Sequence, residues 1–392
     1  MLRTGIVFCI AALVACEGMS KDPDVGKDMY EIVSSKGYDI ERHFAVTDDG
    51  YILGMFRMPR AKREKKSPGD KQKPVVYLNH ALLDSSFAFV CNSPEESLGF
   101  ILADRGYDVW FGNNRGNTYS TNHTTLSTDS EAFWNFTFDE MALIDLPTHI
   151  NYVLQHTGVE TVSYVGHSQG TIQAFAGFSS LPDLAKKINM FVGLAPVAYV
   201  HHQRGWILNI IADLDVDLLF KALGVKKFLT RGLISKFAPW LCSVLPGICN
   251  DVIELIVGPA KNINASRIDV YVGQTPAGTS VKNMVHWAQG IRSEVFQKYD
   301  FGSAKANIEA YNSSTPPKYD LGSFNVPTVL FAGGEDYLAD PQDVQRLMSS
   351  LPEGVLKKYV YLEAYAHLDF TWAANANNDV YKELLQWLPI KP

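Results

Sequence analysis

The chain has 392 residues, of which 46% are hydrophobic and 20% charged, so it can form one large α/β domain with an insertion, or two domains. This composition excludes a largely disordered protein. The net charge of -7 argues against a nucleic-acid partner, because phosphate binding needs clustered lysine and arginine.

Residues 1–20 are predicted to be a secretory signal peptide, because Arg3 precedes an apolar run, residues 5–15, that is too short to span a bilayer. Residues 13–16 also resemble a bacterial lipobox, in which Cys16 would carry a lipid anchor. Several glycosylation sequons favour a eukaryotic secretory route instead. Their acceptors are Asn122, Asn135, Asn264 and Asn312. We therefore expect a secreted or lysosomal protein without a transmembrane span.

The five cysteines fit an oxidising compartment. Cys9 and Cys16 fall in or beside the signal segment, which leaves three in the mature chain. Cys242 and Cys249 are the natural disulfide pair, and Cys91 is expected to be a free, buried thiol. No cysteine or histidine spacing typical of zinc occurs, so neither a metal nor a cofactor is expected, and no obligate protein partner is evident.

The first elements alternate between strands and helices. Residues 40–46 and 51–58 predict an antiparallel hairpin around a turn at residues 48–50. Residues 74–79 and 107–111 predict buried strands, with a helix ending at residues 100–104 and stopped by Gly106 between them. Such alternation is typical of a mostly parallel sheet with right-handed crossovers.

The next helix is predicted to begin at residues 137–140, which have the form of a capping box, and to continue to Gly158 with a kink at Pro147. Strand 161–165 and helix 171–178 follow it directly. Further strands are predicted at residues 191–196, 326–332 and 358–362, and a last helix at residues 379–388.

Between these strands the alternation stops. Residues 197–320 carry apolar clusters at irregular helical spacing, which predicts a helical insertion. The apolar surface is either an ordinary satellite core or a lid over a lipid-like substrate, and composition does not decide between them. The expected organisation is a core, residues 21–196 and 321–392, interrupted by a cap with a lid, residues 197–320.

The sequence Gly-His-Ser-Gln-Gly at residues 166–170 lies between the predicted strand and helix. This context defines a nucleophile elbow, in which a strained turn exposes the serine at the positive end of a helix. The alternative is a glycine-rich loop whose serine has no catalytic role. The flanking strand and helix favour the elbow, so Ser168 is the candidate nucleophile.

A serine needs a base and an orienting acid to become a nucleophile. On an α/β-hydrolase fold these residues follow in the order serine, acid, histidine, and His367 is the histidine in the required place. Glu335, Asp336 and Asp340 compete for the acid. Asp336 is favoured because two glycines turn the chain just past a strand, whereas Asp340 precedes a proline and suits a helix cap.

Two backbone N-H groups are needed to stabilise an oxyanion. Gln169, next to the serine, and Leu82, in the loop after strand 74–79, are the candidate donors. This loop has Ala81 where glycine is usual. If that position requires a positive φ, the hole is expected to be strained or displaced.

Longer blocks of sequence carry a family resemblance over nearly the whole mature chain. The chain resembles acid lipases of the gastric and lysosomal type. The matching blocks are residues 79–86, 102–110, 114–120, 166–171, 194–198, 276–280, 286–287, 333–340 and 367–370.

The resemblance implies an α/β-hydrolase core with a helical cap and lid, and hydrolysis of triacylglycerols or cholesteryl esters at a lipid-water interface. It implies that Ser168, Asp336 and His367 form the catalytic triad, and that Leu82 and Gln169 supply the oxyanion hole. Two alternatives stay open: a catalytically weakened lipid carrier, motivated by Ala81, and another acyl-transfer reaction such as amide hydrolysis.

Overall fold

A computed structural model describes residues 22–65, 72–205, 209, 212, 226–230, 242 and 246–391. The predicted signal peptide and lipobox lie outside these residues, as do the apolar clusters at residues 206–208, 218–220 and 240–241. In the described part of the chain, no helix has both the length and the apolar character needed to cross a membrane.

A mostly parallel sheet forms the centre of the molecule. The strands in chain order are β1 (Glu41–Val46), β2 (Tyr51–Met58), β3 (Val75–Asn79), β4 (Asp108–Phe111), β5 (Asn122–His123), β6 (Val162–His167), β7 (Ile188–Leu194), β8 (Lys227–Phe228), β9 (Thr279–Ser280), β10 (Thr328–Gly333) and β11 (Leu356–Leu362). The main sheet has the order β1-β2-β4-β3-β6-β7-β10-β11, with β5 paired to β2. From β4 to β11 neighbouring strands are parallel, which confirms the predicted fold class.

Hydrophobic composition explains why this sheet is central. Strands β3, β4, β6 and β10 are buried along their whole length, as expected for parallel strands covered on both faces. The described α-helices of four or more residues are α1 (Met29–Ser35), α2 (Leu98–Asp104), α3 (Leu146–Thr157), α4 (Gln169–Ser180), α5 (Pro182–Ala185), α6 (Pro246–Val257), α7 (Ile268–Gln274), α8 (Val281–Ser293), α9 (Ala304–Tyr311), α10 (Pro341–Ser350), α11 (Asp369–Trp372) and α12 (Lys382–Trp387).

The helix predicted from residue 137 to Gly158 is present but not uniform. Thr137 and Glu140 form the predicted capping box. Met141–Asp145 is then a π-helical turn, and Pro147 lies in the first turn of α3. The irregularity therefore precedes the proline, and Gly158 ends the helix in the left-handed conformation.

The segment between β7 and β10 contains helices α6 to α9 and the two-stranded β8-β9 sheet. Its division from the core at residues 197 and 320 stays a prediction, and we use "cap" for residues 197–320. Cap residues bond directly to the core: the Ala277 N-H donates to the Leu83 carbonyl at 2.7 Å, and Ser280 Oγ donates to the Phe136 carbonyl at 2.6 Å.

Candidate active site

Ser168 lies where β6 meets α4, as the elbow pattern predicts. Its backbone has φ 52° and ψ -113°, a conformation that residues with a Cβ rarely adopt. The Ser168 N-H donates to the Leu194 carbonyl of the neighbouring strand at 3.0 Å. The strained turn is therefore fixed to the sheet, and it presents the hydroxyl at the carboxyl edge of the parallel strands.

Two glycines of the elbow are required by close backbone contacts. A Cβ built on Gly170 would lie 2.4 Å from the Asn79 carbonyl oxygen at the end of β3. One built on Gly166 would lie 2.8 Å from the backbone of Gly170. Glycine thus allows the elbow to pack against itself and against the start of the loop that holds Leu82.

A continuous chain of hydrogen bonds runs from the serine to a carboxylate. Ser168 Oγ lies 2.7 Å from His367 Nε2, and His367 Nδ1 lies 2.9 Å from both carboxylate oxygens of Asp336. All three side chains are buried. Because Nδ1 faces a carboxylate it carries the proton, so Nε2 is free to accept one from the serine.

Backbone amides hold the Asp336 carboxylate in place. Its Oδ1 accepts the N-H groups of Leu338 and Ala339, each at 2.8 Å, in addition to its contact with His367, whereas Oδ2 contacts His367. Of the competing acids, Asp340 accepts the N-H of Gln342 and caps α10, as its position before a proline predicted.

His167, inside the elbow motif, supports the His367 loop. Its Nε2 lies 2.9 Å from the His367 carbonyl oxygen and donates to it. Burial lowers the pKa of His167 to about 3, so the ring stays neutral. The side chain before Ser168 therefore fixes the backbone of the histidine that Ser168 contacts.

The end of helix α6 joins the acid loop to the histidine loop. The Val257 carbonyl accepts the N-H of Tyr337, next to Asp336, and the N-H of His367, both at 3.3 Å. Gly258 follows with φ 99°, and a Cβ there would lie 2.1 Å from the Glu335 carbonyl oxygen. A cap helix thus fixes the spacing of two candidate triad residues.

We expect Gly258→Ala to lower kcat by up to about 100-fold, because displacing Glu335 moves Asp336 from His367 and small misplacements are costly in catalysis. Gly354 is the matched control, since it has φ 78° but no atom within 4 Å of its Cβ position. Gly354→Ala should lower the free energy of unfolding by about 1–2 kcal/mol and leave kcat unchanged. The measurements are kcat and the free energy of unfolding by denaturant for both variants. Equal kcat values in the two variants would contradict this role of Gly258.

The loop after β3, which contains Leu82, begins beside the elbow. Asn79 pairs with Gly166 across β3 and β6, so the two chain segments leave the sheet side by side. Neither the backbone N-H of Leu82 nor that of Gln169 donates to an acceptor among the described residues. Both N-H groups are therefore available to a ligand. Gln169 is the first residue of α4.

Backbone strain in this loop does not fall on Ala81. Ala81 is absent from the residues with positive φ, whereas Leu83 has φ 60°. The Ala81 carbonyl is held by His80 Nδ1 at 2.8 Å, and burial lowers the pKa of His80 to about 4, so His80 is neutral. The condition under which Ala81 would distort the oxyanion hole is therefore not met.

Asp84, in the same loop, is buried and its Oδ2 has no hydrogen-bond partner. Burial raises its pKa to about 7, although the Ser85 N-H and the Thr275 hydroxyl favour the charged form. An unfolded aspartate titrates near pH 3.9, so the stability that the bound proton contributes is complete below that pH and is lost as the pH rises towards 7.

We therefore expect Asp84→Asn, which stays uncharged, to match the wild type in stability at pH 4 and to be more stable above pH 7. The measurement is the melting temperature of both proteins from pH 4 to 8. A constant difference across this range would contradict the shifted titration of Asp84.

The other predicted sites are only partly described. Asn122, Asn135 and Asn312 are exposed, whereas Asn264 is half-buried and caps a turn through Ser266. Glycosylation itself stays a prediction. Cys91 is free and buried as expected. Cys242 is disulfide-bonded, but the Cys249 side chain lies outside the described residues, so their pairing also stays a prediction.

The arrangement of sheet, elbow and hydrogen-bonded triad defines the α/β-hydrolase class. A family model described as "alpha/beta hydrolase fold" matches residues 74–374, and a "partial alpha/beta-hydrolase lipase region" matches residues 29–93. A soluble monoglyceride lipase variant from Saccharomyces cerevisiae has a similar fold, with a TM-score of 0.55 at 14% identity over 94% of this chain and 98% of that one.

Sequence identity to curated relatives shows which family of α/β-hydrolases the chain belongs to. Gastric triacylglycerol lipase from Rattus norvegicus is 44% identical, over 94% of this chain and 93% of the relative. Human lysosomal acid lipase/cholesteryl ester hydrolase is 42% identical, over 93% of this chain and 91% of the relative. The chain belongs to this family of gastric and lysosomal acid lipases, and it is a carboxylic ester hydrolase. The names of these relatives agree with the predicted secreted or lysosomal location.

Proposed function

We propose that the protein hydrolyses the ester bonds of neutral lipids, triacylglycerols or cholesteryl esters, through an acyl-enzyme on Ser168. The observation that carries the proposal is the hydrogen-bond chain from Ser168 Oγ through His367 to Asp336. The printed names of the relatives, which include triacylglycerol lipases and a cholesteryl ester hydrolase, support the substrate class.

In the first half-reaction Ser168 Oγ attacks the ester carbonyl carbon while His367 Nε2 takes the hydroxyl proton. The carbonyl oxygen becomes an oxyanion that accepts the N-H groups of Leu82 and Gln169. The tetrahedral intermediate collapses, the bond to the alkoxy oxygen breaks, and His367 gives its proton to the departing alcohol. Asp336 keeps the Nδ1 proton throughout and stabilises the imidazolium.

In the second half-reaction His367 Nε2 takes a proton from water, and the resulting hydroxyl attacks the acyl carbon. The oxyanion forms again in the same hole. Its collapse releases the fatty acid, and the proton returns from His367 to Ser168 Oγ. Each proton taken by His367 is thus given back within one half-reaction, so the site returns to its starting state.

An apolar face of the cap supports contact with a lipid-water interface. On helix α6, Val252 is 51% exposed and Leu255 is 57% exposed. These residues are three apart, so their side chains lie on one face of the helix. The same helix ends at Val257, whose carbonyl binds the backbone of both triad loops.

The proposal is tested by labelling the purified protein with an alkyl fluorophosphonate and identifying the modified residue by peptide mass spectrometry. We expect modification at Ser168 together with hydrolysis of triolein or cholesteryl oleate. A matched amide with the same acyl chain should turn over far more slowly. Labelling elsewhere, or faster amide turnover, would overturn the assignment. A protein that binds these lipids without labelling or turnover would instead be a carrier.

A further inference from the structure

The side chain of Gln169, beside Ser168, is held by the cap. Its Oε1 accepts Asn283 Nδ2 at 2.8 Å and Trp287 Nε1 at 3.0 Å. Gln169 is 2% exposed, Asn283 0% and Trp287 3%, so water does not compete for these bonds. The two donors are four residues apart on α8, so they lie on the same face of that helix.

The core holds the other end of the same carboxamide. Gln169 Nε2 lies 3.6 Å from the sulfur of Met141, in the π-helical turn, and Gln173 Nε2 lies at the same distance from that sulfur. Because Oε1 takes two donors from α8 and Nε2 faces Met141, the amide has one consistent orientation. Gln169 therefore links cap and core.

Helix α8 is itself fixed to the core at its beginning. Ser280 Oγ accepts the Asn283 N-H at 2.9 Å and donates to the Phe136 carbonyl at 2.6 Å. Phe136 lies five residues before Met141, so the same core segment supports both sides of Gln169. The position of Asn283 and Trp287 relative to the elbow is thus fixed both by their bonds to Gln169 and by the bond between Ser280 and Phe136.

Gln169 contributes its backbone N-H to the candidate oxyanion hole. Its N-H has no acceptor among the described residues, because it is the first residue of α4. The preceding residue, Ser168, has a strained φ of 52°. The Ser168 carbonyl of the same peptide accepts the Thr171 N-H at 2.7 Å and the Thr171 hydroxyl at 2.6 Å, so the carbonyl side of the peptide is fixed. On the N-H side, the chain is held by the buried Gln169 side chain.

We propose that Asn283 and Trp287 are positioning residues for the oxyanion hole: by fixing the Gln169 side chain, they aim its backbone N-H at the reacting carbonyl oxygen. This rests on the proposed function, in which that N-H is an oxyanion donor. Oxyanion donors accelerate the reaction because they are oriented in advance. A less fixed orientation of the Gln169 N-H should therefore weaken binding of the transition state more than binding of the substrate.

The test uses Trp287→Phe and Asn283→Ala in the full chain, with active sites counted by fluorophosphonate labelling. On a soluble short-chain ester, kcat per labelled site should fall about fivefold to tenfold for each variant, as for one lost hydrogen bond, while KM changes less than about twofold. Affinity for a trifluoromethyl ketone, which forms a tetrahedral adduct, should fall in proportion to kcat. Counting labelled sites removes the effect of a poorly folded fraction.

Gln289→Leu is the matched control on the same helix, because Gln289 bonds to Asp300 within the cap and not to the elbow. It should keep the wild-type kcat. The decisive step is Gln169→Met, which retains the backbone N-H but removes the acceptor of both bonds.

In the Gln169→Met background, Trp287→Phe and Asn283→Ala should have no further effect on kcat. Full additivity in this cycle, or unchanged kcat per labelled site in the single variants, would overturn the positioning role. An enzyme that neither labels at Ser168 nor turns over ester would instead overturn the proposed function itself.

Discussion

Ser168→Ala should lower kcat for a long-chain ester by about 10⁵-fold or more, because removal of the nucleophile leaves only binding and the oxyanion hole to assist attack by water. The alanine keeps the Cβ of serine, so the strained φ of 52° is no worse in the variant. Its buried neighbours, His367 and Asp336, still pair with each other. We therefore expect a folded protein with an unchanged melting temperature.

Ser163→Ala is the control for this experiment. Ser163 lies on the same strand, is buried, and donates to Asn189 Oδ1 at 2.7 Å, so its replacement also removes a buried serine hydrogen bond. It should retain the wild-type kcat. If Ser168→Ala still hydrolyses the ester at the wild-type rate per folded molecule, Ser168 is not the nucleophile.

Local rules explain why so much of this site could be predicted from the sequence. The elbow needs a strand, two small residues and a helix within a short stretch, and all of these are visible around Ser168. Asp336 and His367 follow from chain order and from their positions after late strands. The proline that follows Asp340 is a local signal for a helix cap, and it distinguishes Asp340 from Asp336.

Long-range backbone contacts could not be predicted in this way. The Val257 carbonyl has no distinctive side chain to mark it, and the need for glycine at residue 258 is visible only once Glu335 is seen to approach it. Asn283 and Trp287 are a visible pair of donors one helical turn apart. Their acceptor, Gln169, is more than one hundred residues away in the chain, and only the packing of α8 against the elbow identifies it.

The π-helical turn and the positive φ at Leu83 could not be predicted from the sequence either. A capping box and apolar spacing predict a helix but not the extra residue in one of its turns, which is where Met141 reaches Gln169. Likewise, alanine in place of the usual glycine predicts strain if residue 81 has a positive φ, whereas the positive φ falls on Leu83. The type of a residue indicates which backbone conformations it adopts easily. The path of the loop decides which residue has the positive φ.

Asp336→Asn should lower kcat by about 10⁴-fold while leaving the fold intact, as in other serine hydrolases that lose the charge of this acid. Two backbone N-H groups point at Oδ1, so the amide oxygen will occupy that side. The amide NH₂ then takes the place of Oδ2, 2.9 Å from His367 Nδ1, and the amide oxygen keeps the other 2.9 Å contact with Nδ1.

This substitution replaces one of the two acceptors at His367 Nδ1 with a donor and removes the negative charge of the acid. A donor facing Nδ1 favours the tautomer with its proton on Nε2, and that nitrogen can no longer accept the proton of Ser168, 2.7 Å away. The expected result is a loss of kcat and slower fluorophosphonate labelling with little change in KM. Asp340→Asn, which can still cap α10 through its side-chain oxygen, should remain within a few-fold of the wild type. A comparable loss of kcat in both variants would show that the acid had been assigned to the wrong residue, because the tautomer argument applies only to the carboxylate that contacts His367.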